Sequence, residues 1–440
     1  MSSWNEVSQI FHAHPYYSDF LKVKERLQQN QFVCWLAGGA VRDFLLGHVQ
    51  VYDFDLVTDA HTENLKKIFP EAILVGEQFG VLKIPIAPGV VFDLATFREE
   101  SDYQDGRRPS QVAASTPPLD AERRDFTLNA LFWDDENKTV WDYVGGVADL
   151  KIGRLKCVGR PEIRFAEDYL RLIRLVRFQA QLRLPIDSLT ENVAKSMLSQ
   201  IDHVSGERIW LELKKISHAN DWSTVLQRPL FQQLIEQIFG CRLQYVSELA
   251  SVLGNESWSV SVDLGGAGRD WFQSSDQIKN WVETLALLII LSSLDQNELQ
   301  TEKILKEKLH VSKEERADFN LLIELKKHLK FSFVQAAVSP LAASEFYELC
   351  YWVDKNKKAF FVFQMFSELV PSLQQIFLDV KKVLQNHSQI LIDGAYLSQW
   401  LAPSEIKHAL KWARLMQFQD LIQTEKQAHE LVLKQFQNKS

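Results

Sequence analysis

Two aspartates stand two positions apart in the run Tyr52-Asp53-Phe54-Asp55. On an extended strand that spacing turns both side chains to one face, where two carboxylates repel unless a cation lies between them. Asp53 and Asp55 are therefore candidate catalytic metal ligands. Mg2+ suits a few carboxylates combined with substrate phosphates. A bare Asp-x-Asp is equally what a solvated edge strand carries, so the neighbours decide its meaning. Upstream lies Gly38-Gly39-Ala40-Val41-Arg42-Asp43. There Gly38 and Gly39 follow a strand and precede a helix, a place where bare N–H groups and Arg42 can meet a triphosphate. The segment lacks the Gly-Lys-Ser/Thr ending of a P-loop. Downstream, Asp93 sits in the apolar run Val91-Phe92-Asp93-Leu94. An acid buried there is costly without a partner, and service as a third metal ligand, and so a catalytic carboxylate, would account for it.

A second group is rich in arginine. In Arg123-Arg124-Asp125-Phe126-Thr127-Leu128-Asn129, the run from Asp125 to Asn129 also reads as ordinary helix-start chemistry. Further on, Glu167, Asp168 and Arg171 stand at helical spacing, so Glu167 and Arg171 can pair along one face. An Asp acceptor beside an Arg donor fork can imitate the edge of a base-pairing partner. With Arg164, Arg174 and Arg177 the same helix also reads as a solvated charged face.

Short apolar, β-branched or aromatic runs at 33–37, 54–57, 81–86, 90–96 and 139–143 predict strands that position these residues, with short helices at 40–46 and 62–69. After Gly153 the pattern changes to long apolar runs at helical spacing, beginning with a helix over 164–183. The segment FREESDYQDGRRPSQVAASTPPLD is too polar and too broken by Pro and Gly for core, and reads as a mobile loop. Softer breaks are expected at Gly153–Pro161, 217–228, 253–276 and 329–341.

The chain has 440 residues, 46% of them hydrophobic, enough for several cores. Its net charge of −8 argues against a protein that coats nucleic acid over its whole surface, while leaving room for local basic tracks. The four cysteines, Cys34, Cys157, Cys241 and Cys350, lie far apart without metal-ligand spacing. No signal peptide or membrane span is legible, so no disulfides, no membrane partner and a cytoplasmic location are expected.

In order along the chain stand GGAVRD, DFD, RRDFTLNAL, DYVGGVADL, AEDYLRLIRLVRF and SGERIWLEL. Over about residues 33–215 this series resembles the class II tRNA nucleotidyltransferase and bacterial poly(A) polymerase family. A weaker likeness continues at 394–432. The resemblance implies an α+β fold: a polymerase-β-like nucleotidyltransferase head with a small mixed sheet, followed by an all-helical neck, body and tail. The domains would be a catalytic head at 1–152, a base-recognising neck at 153–220, a body at 221–340 and an RNA-binding tail at 341–440.

The implied activity is addition of CCA, from CTP and ATP, to the 3′ end of tRNA without a nucleic-acid template. It would proceed by two-metal nucleotidyl transfer with loss of pyrophosphate, Mg2+ being held by Asp53 and Asp55. Arg124, Asp125 and Asn129 would face the incoming nucleotide, Asp168 and Arg171 would contact its base, and Glu167 would orient Arg171. Gly38, Gly39, Arg42, Arg174 and Arg177 complete the expected nucleotide site. In the family a loop like the polar segment serves the switch from C to A, although Pro117-Pro118 replaces an acidic run common among relatives. The turn LVGEQFGVLKIPI and the weakly basic C-terminus resemble the tRNA enzymes. The alternatives are an enzyme that adds only A, a poly(A) polymerase, and a non-catalytic RNA-binding relative. With no adjacent His-Asp pair, no appended HD-type phosphohydrolase is expected. In the helical remainder, Trp281, Phe360, Phe361, Phe363 and Phe366 read as core, and Lys326-Lys327 and Lys381-Lys382 as candidates for tRNA phosphates.

Overall fold

Alternation of apolar and polar residues builds the sheet that carries the aspartates. The computed structural model describes residues 4–48, 54–75, 80–87, 90–103, 109–216, 222–243, 246, 287, 289–294, 298–329, 331–332, 337–338, 341–369 and 371–437. They fall into two units, Met1–Glu212 and Leu213–Ser440. In the first, seven strands form one mixed sheet: β1 (Trp35–Ala37), β2 (Phe54–Thr58), β3 (Ile73–Val75), β4 (Val81–Ala87), β5 (Val90–Thr96), β8 (Leu131–Asp134) and β9 (Thr139–Asp142). Their order is β3-β4-β5-β2-β1-β8-β9. Only β2 and β5 run parallel; the other neighbours are antiparallel.

One face of this sheet is aromatic. Phe54 on β2 stacks on its register partner Phe92 on β5, ring centroids 5.0 Å apart. Phe11 and Phe44 pack against Phe54 from helices α1 (Trp4–His12) and α3 (Gly39–Leu45). All four rings are fully buried, each such burial stabilising the fold by about 1.5–3 kcal/mol. Helices α1 and α2 (Tyr17–Gln29) fall outside the expected elements. Buried Asp135 anchors both, accepting from the Tyr17 hydroxyl and the Lys24 ammonium of α2 and lying 3.0 Å from the His12 ring at the end of α1.

The polar segment after β5 differs from its expected form. Its backbone pairs as an antiparallel hairpin of β6 (Arg98–Tyr103) and β7 (Pro109–Ala114), followed by α5 (Pro117–Glu122). Polarity had marked which residues leave the core, but main-chain groups still satisfy one another in a ladder. Pro117 and Pro118 open α5, where a missing N–H costs nothing.

The helix expected over 164–183 is two. Pro161–Glu167 forms α7 and Leu170–Leu182 forms α8, with α4 (Thr62–Ile68) and α6 (Gly146–Ile152) earlier in the chain. The break is at Asp168, whose backbone is extended at φ −147° and whose Oδ1 accepts from Leu170 N. A short carboxylate competing for a nearby amide is a standard way to end one helix and cap the next. α9 (Ser188–Met197) and α10 (Gly206–Ile216) follow.

Among its described residues the second unit is mainly helical, with a two-stranded pairing of Phe331–Ser332 with Ala337–Val338, near the break expected at 329–341, and an isolated bridge between Leu243 and Leu294. Phe363 is fully buried and meets Phe377 edge-on, as core; Phe360 also packs on Phe377. Trp281 and the break at 253–276 lie outside the described residues, as do the side chains of Phe361 and Phe366. At the C-terminal end, Leu397, Leu401, Ala409, Ala413, Ile422, Ala428 and Val432 share a separate apolar cluster. Lys326 donates to the carbonyl of Ser292, which corrects its reading as a phosphate contact, since burial turns the ammonium inward. Burial also pushes the Cys34 and Cys350 thiols up to about 12, while Cys241 alone of the four cysteines is partly exposed. No described helix is long and apolar enough to cross a membrane.

Candidate active site

Register across the sheet lines up the acidic residues. Ala37 pairs with Asp55, Asp55 with Asp93, and Asp93 with Lys83, so the four share one row on one face. The face opposite carries the Phe54–Phe92 pair. Asp55 is exposed at the sheet surface, beside β1 and the turn into α3. Asp93 is not the buried acid its apolar neighbours suggested: its side chain is 37% exposed and both carboxylate oxygens accept from Lys83 Nζ, at 2.7 and 3.0 Å. The strand alternates, so apolar neighbours mark the other face. Asp53 lies outside the described residues. Two carboxylates in register on adjacent strands are hard oxygen donors of the kind Mg2+ takes. Among the described residues no group of three or more His, Cys, Asp or Glu is close enough to hold a metal.

Gly38 is where backbone and side chains crowd together. Its φ of +72° lies in the left-handed region that favours glycine. A Cβ there would stand 3.1 Å from Arg124 Nη1 and 3.8 Å from Asp55 Oδ2. Its N–H is spent on the carbonyl of Leu131, which corrects the picture of a bare amide facing a ligand. A Cβ on Gly39 would meet Arg42 at 3.5 Å.

From there a continuous hydrogen-bonded chain crosses the unit. Arg42 Nη1 donates to Asn129 Oδ1 at 2.6 Å, and Asn129 Nδ2 to Asp125 Oδ1 at 3.1 Å. Arg174 Nε then donates to Asp125 Oδ2 at 2.7 Å. Burial pushes the Asp125 carboxyl up, but Arg174 and Asn129 outweigh it and hold it at about 2. Asp125 is therefore ionised at neutral pH. Thr127 to Asn129 form a single 3-10 turn, held close to α6 at Gly146, where a Cβ would come within 2.1 Å of Thr127 O.

The residues expected to read a base are held more firmly than spacing alone foretold. Glu167 Oε2 accepts from both Arg164 and Arg171, so the Glu167–Arg171 pair forms despite the helix break. Arg171 also donates to the carbonyls of Arg164 and Arg123, at 2.8 and 2.9 Å. Asp168 is held by a separate partner. Its Oδ2 accepts from Arg208 Nη2 at 2.9 Å, and Arg208 Nη1 is buried with no hydrogen-bond partner among the described residues. Arg177 lies against Glu212 at 3.0 Å.

Four contributors were not foreseen. Asp120 is completely buried and accepts from both Arg123 and Arg124; its position three and four residues before them was the available signal. Arg208 and Glu212, inside the quoted SGERIWLEL, partner Asp168 and Arg177. Lys83 carried no signal beyond strand register.

Residues 34–156 match the model of the "Poly A polymerase head domain" family. A CCA-adding enzyme of Staphylococcus epidermidis is 35% identical over 210 residues, 48% of this chain and 52% of that protein. One from Ligilactobacillus salivarius is 33% identical over 279 residues, 59% of this chain and 68% of that protein. The matched stretch thus spans about half of the staphylococcal relative. Among solved structures, the Bacillus stearothermophilus CCA-adding enzyme in complex with CTP aligns with a TM-score of 0.73 at 19% identity, covering 96% of this chain and 98% of that one. A Thermotoga maritima CCA-adding enzyme complexed with tRNA aligns at 0.66 and 19% identity, over 98% of each chain. At such identity these structures show a shared fold.

Proposed function

Given that the chain belongs to the family of the CCA-adding enzymes, we propose that it adds C, C and A from CTP and ATP to the 3′ end of tRNA, releasing pyrophosphate. The observation that supports this most is the convergence of Asp55, Gly38 and Arg124 at one end of the chain Arg42–Asn129–Asp125–Arg174. It sets an anion-seeking arginine cluster beside a row of carboxylates, the pairing that nucleotidyl transfer needs.

In this reading Asp53, Asp55 and Asp93 hold divalent cations, Mg2+ being the metal their oxygens suit. A cation held by these carboxylates would supply the charge that lowers the pKa of the RNA 3′-hydroxyl and offsets charge on the phosphates. The chain's own residues do the rest. Arg42 and Arg124 attract the triphosphate, and Asp125, kept ionised, accepts from a ribose hydroxyl. Arg171, its guanidinium fixed by Glu167 and two carbonyls, presents donors to the base. Asp168 keeps lone pairs beyond those spent on Leu170 and Arg208, and accepts from an exocyclic amine of cytosine or adenine.

The test is incorporation by the purified protein on tRNA ending at the discriminator base, with CTP alone, ATP alone, or both. Three nucleotides and then a stop is the expected result. Addition of A only to tRNA already ending in CC would replace the proposal with the narrower activity. Unlimited A addition would replace it with poly(A) synthesis, and no incorporation at all would leave an RNA-binding relative.

A further inference from the structure

Three guanidiniums surround one phenylalanine ring. Phe178 lies on α8, one residue after Arg177 and four after Arg174, and its ring is nearly buried. The Arg177 carbon is 4.2 Å from the ring centroid and that of Arg174 is 5.3 Å. Arg42 comes from α3, far away in sequence, to 5.6 Å. Phe126 meets the ring edge-on at 5.6 Å and fixes its plane.

Gathering like charges has a cost. Burial, with the charges of Arg174 and Arg42, pulls the Arg177 guanidinium down to about 10. Asp125 offsets Arg174, Glu212 offsets Arg177 and Asp43 offsets Arg42, each from its own side, and no one carboxylate reaches all three. The ring does. Its negative face attracts cations without forming a directional bond, so it can serve several at once. A leucine of similar bulk would fill the space and lack that face.

Resting on the nucleotidyl-transfer reading above, we propose that Phe178 is a positioning residue, an aromatic floor that keeps Arg42, Arg174 and Arg177 converged for a polyphosphate. Without the floor each guanidinium is held only by its own polar partners, and the three must be drawn closer together when the ligand binds. That cost falls on binding and leaves the chemical step alone.

The test uses the full chain with Phe178→Leu and Phe178→Tyr, inorganic tripolyphosphate binding by calorimetry, and KM and kcat for CTP on tRNA. Phe178→Leu is expected to weaken tripolyphosphate binding and raise KM about ten-fold, with kcat within about two-fold, as three modest cation–π contacts would give. Phe178→Tyr keeps a ring face and is expected to restore both. Unchanged tripolyphosphate affinity in Phe178→Leu would overturn the inference, and so would an equal loss in Phe178→Tyr. If Phe178→Leu fails to fold, Phe178→Met, close in volume, is read the same way. A native chain that incorporates no nucleotide would sink the nucleotidyl-transfer reading, and the tripolyphosphate comparison would still decide the role of Phe178.

Discussion

Replacing Asp55 by alanine removes a carboxylate that stands in register with Asp93 and beside Gly38. Because the side chain is exposed, the fold loses little. Nucleotide incorporation should fall by about three orders of magnitude, the several kcal/mol that metal-assisted charge stabilisation supplies. Activity within ten-fold of native, at unchanged melting temperature, would dismiss Asp55 as a metal ligand. Asp125 makes a prediction in pH. Its carboxyl is held at about 2 against an ordinary 3.8, so the ionised form stabilises the fold by about 2 kcal/mol. A depressed pKa gives stability that is complete well above pH 3.8 and lost as pH falls through about 2. Melting temperatures of native protein and Asp125→Asn should therefore differ most near pH 6 and converge towards pH 2. A gap independent of pH would refute the charged network.

Several elements of the sheet were legible from apolar spacing, whereas α2 was missed although Phe20, Val23 and Leu27 recur at helical spacing. Strands at 54–58, 81–87 and 90–96 agree with the pattern to within a residue, since their alternation matches one buried face. The pairing of β2 with β5 could not be read, because register depends on partners distant in sequence. That pairing sets Asp55 beside Asp93 and brings up Lys83. The break between α7 and α8 was hidden for a different reason. Asp168 looked like one more charged residue on a helix face, and only its bond to Leu170 N shows it as a cap. The Glu167–Arg171 spacing was readable; the Arg208 contact to Asp168 was not. The β6–β7 hairpin carries its own prediction. If this element serves the change from C to A, replacing residues 99–113 by a short Gly/Ser turn should leave C addition within about ten-fold. It should cut A addition by at least a hundred-fold more, read on tRNA substrates ending before and after CC. Equal loss of both would assign the hairpin to stability.

Taken whole, the chain carries a net charge of −8, so RNA meets overall repulsion and must be drawn by local cations. In the second unit Lys326 is committed to Ser292 and Lys327 to Glu298 and Glu324, whereas Lys381 and Lys382 are exposed. Reversing Lys381 and Lys382 to Glu should flatten the logarithmic salt dependence of tRNA binding by about two, one for each phosphate that the lysines no longer neutralise. An unchanged slope would place both lysines in water only. The burial of the cysteines has a practical side. Thiolate is the reactive form, and Cys34, Cys157 and Cys350 are enclosed with their thiols held protonated. A maleimide dye applied to the native chain would therefore label position 241 first, giving a single optical reporter in the helical unit without any engineering.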